Sequence, residues 1–228
     1  MLKTKFLRVG NYESHCSLDH DARNELNCWV KNLDFCKGRS LIPKPVSLVI
    51  TTDACNTGHR GWGAVCNNVK ISEKFSSFEL KKHINVLGLL GAYLALKSFA
   101  RNSSDSSIKI RIDNTSAVAA INHLGSPLSP ELTALAQDIW SWAMAHNLNI
   151  IAEHNPGAKN IKADAASRGS VKDSEDWKLD PVIFSRISNL WGPFSIDLFA
   201  SHHNHQFCSF FSWRPNPSAL AFIALIQD

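Results

Sequence analysis

The sequence predicts an α/β fold built on a mixed five-stranded sheet with helices on its faces. Three observations carry that expectation. Short β-branched runs are bunched after residue 46, helical and strand patterns alternate after residue 85, and turn-forming residues punctuate them. The first strand is read over residues 47–53, in Ser47-Leu48-Val49-Ile50-Thr51-Thr52-Asp53, and a turn follows between Gly58 and Gly63. Trp62-Gly63-Ala64-Val65 gives a second strand and Val69 to Phe75 a more polar third. Separations this short favour antiparallel neighbours. A helix then runs from about Asn85 to Ala100, with Leu87, Leu90 and Leu94 on one face and Ala92, Ala95 and Phe99 on the next. Apolar residues on so much of its circumference place it between the sheet and another element.

The remaining elements alternate. Residues 108–113 form a strand, Thr115 to His123 a short helix ending at Gly125-Ser126-Pro127, and Leu132, Leu135, Ile139 and Trp142 mark a longer helix. A strand over 148–153, the Pro156-Gly157 loop and a helix holding Asp164 complete the unit. The chain therefore divides into a helical lead-in over 1–46, a central domain over 47–168 and a C-terminal appendage over 169–228. The lead-in carries helical spacing at Leu26, Trp29, Val30 and Leu33, and a rigid Pro43-Lys44-Pro45 linker.

Composition narrows the class. A chain of 228 residues with 44% apolar and 19% charged residues suits one globular domain with a full core and extensions. No apolar run approaches the roughly 20 residues of a membrane span, so no membrane partner is expected. The apolar part of the N-terminus is too short for a secretory signal. The six cysteines contain no C-x-x-C pair, which fits reduced thiols in the cytoplasm or nucleus. Residues 47–168 hold 12 basic and 9 acidic side chains. Three of those acids are candidate metal ligands, and neutralising them would leave a mildly basic surface compatible with a phosphate backbone.

Those three acids are the chemical signal. Asp53 and Asp113 each close an apolar strand, and Asp164 lies in the helical word Asn160-Ile161-Lys162-Ala163-Asp164-Ala165-Ala166-Ser167-Arg168. Carboxylates gathered at neighbouring strand ends and one helix suit a pair of divalent metals, and they should lie within about 4–8 Å of one another. Either Mg²⁺ or Mn²⁺ would suit such oxygen donors.

The words around these acids extend the pattern. They are Thr52-Asp53-Ala54 with Gly61-Trp62-Gly63-Ala64, His83-Ile84-Asn85-Val86-Leu87, Ile112-Asp113-Asn114-Thr115-Ser116-Ala117-Val118, Ile121-Asn122-His123-Leu124-Gly125-Ser126, His154-Asn155-Pro156-Gly157 and Ala163-Asp164-Ala165-Ala166-Ser167-Arg168. Together they resemble the ribonuclease H domain of retroelement reverse transcriptases, most of all the DIRS-like, tyrosine-recombinase retrotransposons. The resemblance implies a ribonuclease H-like sheet of three antiparallel and then two parallel strands, flanked by helices. It implies hydrolysis of the RNA strand of RNA–DNA hybrids by two-metal chemistry, with a reverse transcriptase domain upstream in a full element. On that reading Asp53 bridges both metals, Asp113 and Asp164 each hold one, and His154 assists proton transfer or product release. Asn85, Asn114 and Thr115 would contact the minor groove of the hybrid.

One position departs from the family. Its motif reads His-Ile-Asn-x-Leu-Glu-Leu, whereas this chain has His83-Ile84-Asn85-Val86-Leu87-Gly88-Leu89. The fourth ligand is therefore missing at Gly88, and a non-catalytic, hybrid-binding relic is the alternative function. Glu79, nine residues upstream, stands about 13 Å away on a continuous helix, too far to substitute. Asn85 is also a candidate N-cap. His202, His203 and His205 are read as a solvated loop rather than a metal tract, and Trp62, Trp140 and Trp142 as core aromatics. The segment Trp191-Gly192-Pro193-Phe194-Ser195-Ile196-Asp197-Leu198-Phe199-Ala200-Ser201 resembles the opening of a methyltransferase-like module in the same elements, without the catalytic Asn/Asp-Pro-Pro-Tyr word.

Overall fold

The computed structural model describes residues 17–32, 44–169 and 177–222. Contacts divide the chain into two units, residues 1–43 and 44–228. The described part of the first is one helix, α1 (His20–Asn32), at whose start the Asp19 carboxylate accepts the Ala22 amide at 2.9 Å. Leu26 and Val30 are exposed on it, while Leu33 and Pro43 lie outside the described residues.

The second unit is built on five strands: β1 (Val46–Ala54), β2 (Gly61–Cys66), β3 (Val69–Lys74), β4 (Ser107–Ile112) and β5 (Asn149–His154). Their order in the sheet is β3-β2-β1-β4-β5. β1, β2 and β3 pair antiparallel, and β4 and β5 run parallel to β1. This is the ribonuclease H-like topology expected, three antiparallel strands and then two parallel ones. The short β1–β2 and β2–β3 connections permit hairpins, whereas each parallel step needs a helical crossover.

Those crossovers form one layer: α2 (Ile84–Phe99), α3 (Thr115–Asn122) and α4 (Pro130–Ala145). Ile50, Trp62, Leu87, Leu89, Leu96, Ile110, Ile121 and Ile139 are fully buried between that layer and the sheet. Trp62 is thus a core residue, while Trp140 and Trp142 pack at the core's margin. The Trp140 indole donates to the Ile121 carbonyl at 2.8 Å, tying α4 to the end of α3.

The opposite face of β2 carries a short helix, α5 (Ile161–Ser167), which packs against β1, β2 and β3. Its contact residues Ala163, Ala166 and Ser167 are small and buried. At Gly63 an added Cβ would lie 2.2 Å from the Ser167 backbone nitrogen and 2.6 Å from the Ala166 carbonyl carbon. Glycine is what lets α5 approach the strand so closely.

The C-terminal segment folds as α6 (Pro181–Trp191) and a three-stranded parallel sheet, β6 (Asp197–Ala200), β7 (Phe210–Ser212) and β8 (Ala221–Phe222), in the order β6-β7-β8. Asn216 donates to the Glu73 carboxylate of β3 at 2.6 Å, joining this segment to the main sheet's edge. Among the described residues no helix is long and apolar enough to cross a membrane.

Candidate functional site

Strand register builds the site. Thr52 on β1 pairs with Ile112 on β4, so Asp53 and Asp113 follow at the same level on adjacent parallel strands. Asp53 is only 6% exposed, while Asp113 is half-buried. The two carboxyl groups come within hydrogen-bonding reach of each other. Ile112 in turn pairs with His154 on β5, whose Nε2 donates to the Asp113 carbonyl at 3.1 Å. Glu153 points away and pairs with Lys109 and Arg111. Alternation along β5 separates it from His154 as the sequence predicts.

Asp164 arrives on α5 from the other side of the sheet. Two buried polar contacts seat that helix. Asn160, which precedes it, donates to the Thr52 carbonyl at 3.2 Å, and the Ser167 hydroxyl donates to the Asp53 carboxylate. Asp164 itself is engaged by Arg168, whose Nε lies 2.8 Å from its carboxylate. Asn160, Ser167 and Arg168 were visible only as letters of the matching word; no spacing rule assigned them these contacts.

Burial raises the Asp53 carboxyl to about 7, and the negative charges of Asp113 and Asp164 act in the same direction, while the Ser167 hydroxyl opposes them. In the unfolded chain an aspartate titrates near 4. The folded protein therefore holds this proton more tightly, and Asp53's contribution to stability is full below about pH 4 and is lost as pH rises through about 7. In metal-free buffer the wild type should lose stability between pH 5 and pH 8 relative to Asp53→Asn. Discounted for residual solvent contact, the difference is on the order of 2 kcal/mol. Parallel urea titrations of the two proteins check this; superimposable pH profiles would contradict it.

The donor set suits a hard divalent cation. Asp53 and Asp113 offer adjacent oxygens with mutual repulsion to be neutralised, and Mg²⁺ is commonly held by one or two carboxylates with water and substrate phosphate completing its shell. Among the described residues no group of three or more His, Cys, Asp or Glu side chains converges on a single ion position. The pairing of Asp164 with Arg168 fits that arrangement.

Gly88 on α2 lines a cleft of about 160 Å³ with Ala54, Ile84, Asp113 and Asn114. A Cβ at Gly88 would point at Asn114, 3.2 Å from its Cβ. Asn114 caps α3 by accepting the Ala117 amide at 3.0 Å, and its Nδ2 donates to Asn85 Oδ1 at 2.9 Å. Asn85 and Asn114 thus form one amide pair beside Asp113, with exposed Thr115 next in sequence. The α2 N-cap is not Asn85 but His83, whose Nδ1 accepts the Asn85 amide at 3.2 Å; the ring nitrogen replaces the amide side chain in that role. Glu79 is held by the Ser76 amide and hydroxyl, both at 2.7 Å, and takes no part in the cleft.

His202, His203 and His205 lie in a loop, and the His205 ring stacks on Phe210 with centroids 4.6 Å apart.

No protein-family model matches the chain, and no curated protein sequence does. Solved structures do. LC11-RNase H1 in complex with an RNA/DNA hybrid is 20% identical with a TM-score of 0.46, over 53% of this chain and 93% of that one. The N-terminal RNase H domain of rv2228c from Mycobacterium tuberculosis is 19% identical with a TM-score of 0.43, over 58% and 100%. Prototype foamy virus protease-reverse transcriptase is 13% identical with a TM-score of 0.36, over 70% of this chain and 22% of the viral protein.

Proposed function

We propose that the five-stranded unit is an endonuclease for the RNA strand of RNA–DNA hybrids, a retrotransposon reverse transcriptase's ribonuclease H domain weakened by Gly88. The observation that carries this is the side-by-side placement of Asp53 and Asp113 at adjacent parallel strand ends, with the charge of Asp164 acting on the same carboxyl. Asp53 and Asp113 would hold the Mg²⁺ or Mn²⁺. When bound, such an ion supplies charge neutralisation at the scissile phosphate. Asp164 would join them on leaving Arg168, a solvent-exposed pairing that is weak because water screens it. The His154 ring, fixed through Nε2 on Asp113, keeps Nδ1 available to take or deliver a proton. The Asn85–Asn114 pair, with Thr115, offers short donors and acceptors to the 2′-hydroxyls of a wide A-form minor groove.

A second reading, a hybrid-binding relic without catalysis, is favoured by two features: the missing side chain at Gly88 and the Arg168 cation on Asp164. Cleavage of a labelled hybrid by the purified chain, in Mg²⁺ and in Mn²⁺, separates the two. Weak cleavage that is stronger in Mn²⁺ and lost in Asp53→Asn is the expected result. Hybrid binding without cleavage in either metal means the relic. Asn85→Ala should weaken hybrid binding severalfold without unfolding the domain. Equal affinity of the wild type for DNA duplex and hybrid would reduce the interaction to phosphate attraction.

A further inference from the structure

The C-terminal segment forms a second cleft with the sheet edge, which the acid site does not use. We propose that this cleft takes an unpaired nucleotide of a nucleic-acid strand, its base against Trp213 and Phe199 and its phosphate toward Arg214, an inference that rests on the nucleic-acid reading above. The cavity measures about 210 Å³, with Trp62 and Ile71 of the sheet on one side and Phe199, His202, Trp213 and Arg214 on the other. That is room for a flat ring system, not for a duplex.

Two large aromatic side chains stand on its rim. Phe199 is 80% and Trp213 64% exposed, on and just after the short strands β6 and β7. Large aromatic faces left in water beside a cationic guanidinium are the components that hold single strands by stacking, with no need to read sequence. The acid on the lining, Glu73, accepts a hydrogen bond from Asn216, which tempers its repulsion of a phosphate. Burial, with His203 and His205 nearby, holds the His202 ring below its ordinary value, so it is neutral at pH 7 and able to stack.

The cleft and the acids belong to the same sheet. Ser72 on its lining pairs with Gly63, and Gly63 pairs with Asp53. Two strand spacings, about 10 Å, therefore separate Asp53 from the cleft's edge.

The test uses the full chain with a labelled blunt RNA–DNA hybrid, the same hybrid with a single-stranded tail, and a short oligothymidylate. The tail should strengthen binding roughly tenfold, the scale of one stacked base. Trp213→Ala and Phe199→Ala should each remove most of that advantage while leaving blunt-hybrid affinity and thermal stability unchanged. Trp213→Phe should keep it. Equal binding of tailed and blunt hybrids, or a tail advantage that survives both alanine variants, would overturn the proposal. Failure to bind any oligonucleotide would overturn it as well. Oligothymidylate bound through Trp213 while the blunt hybrid is ignored would sink the hybrid reading and leave the cleft standing.

Discussion

Gly88→Glu should raise divalent-dependent cleavage of the RNA strand by roughly 10²–10³-fold, the scale of restoring one preorganised charge-stabilising group. The cleft beside Gly88 already opens onto Asp113, so a carboxylate there would approach the Asp53–Asp113 pair from the α2 side. Asn114 must give by a few tenths of an ångström, because the new Cβ would sit 3.2 Å from its Cβ. Two effects on stability oppose each other. Glutamate favours a helix interior over glycine by somewhat under 1 kcal/mol, whereas a further carboxylate beside Asp113 adds repulsion in the absence of metal. The variant should therefore gain more thermal stability from added Mg²⁺ than the wild type does. Gly88→Ala, with the Cβ but no carboxylate, controls for crowding and should not gain activity. Robust Mg²⁺-dependent cleavage by the unmodified chain, unchanged in Gly88→Glu, would mean that another residue fills the role and that the site has been misplaced.

Gly63→Ala should be among the most damaging single methyl additions in the molecule. The atoms it would meet are backbone, the Ser167 nitrogen at 2.2 Å and the Ala166 carbonyl carbon at 2.6 Å, so no side-chain rotation relieves the overlap. Helix α5 must move off β2, and the Ser167 contact on Asp53 moves with it. Overpacking of this kind costs typically 1–3 kcal/mol, a fall of roughly 2–12 °C in midpoint for a unit of this size. Any cleavage activity should disappear even where the protein remains folded at the assay temperature. A melt within a degree of wild type would show that α5 is not seated on Gly63.

Much of the architecture was legible because its signals are local. The β-branched run ending at Asp53, the Trp62–Val65 strand and the apolar α2 pattern each lie within one element, and each element formed within a residue or two of its expected bounds. The levels of Asp53 and Asp113 followed from where their strands end. The contacts that organise the acids were not legible, because they join distant segments or depend on side-chain choice. Nothing in the spacing of Ala163–Arg168 says that Ser167 rather than Lys162 faces Asp53, or that Arg168 takes Asp164. The His83 cap was missed for a related reason: asparagine is the commoner capping residue, and the choice turned on which side chain the chain direction brought round. The fold of the C-terminal segment was not predicted either. Its strands are two to four residues long, too short to show a period.

The two polar contacts that seat α5 have a kinetic consequence. Ser167 meets Asp53 across 114 residues of chain, and Asn160 meets Thr52 across 108. The β1–β2–β3 hairpins are local and cheap to close, whereas docking α5 must await most of the chain. Docking of α5, which brings Asp164, should therefore follow formation of the hairpins that carry Asp53. Substitutions at Asn160 and Ser167 should then shorten the lifetime of the native state more than they slow its formation, which the two limbs of a folding–unfolding chevron would show.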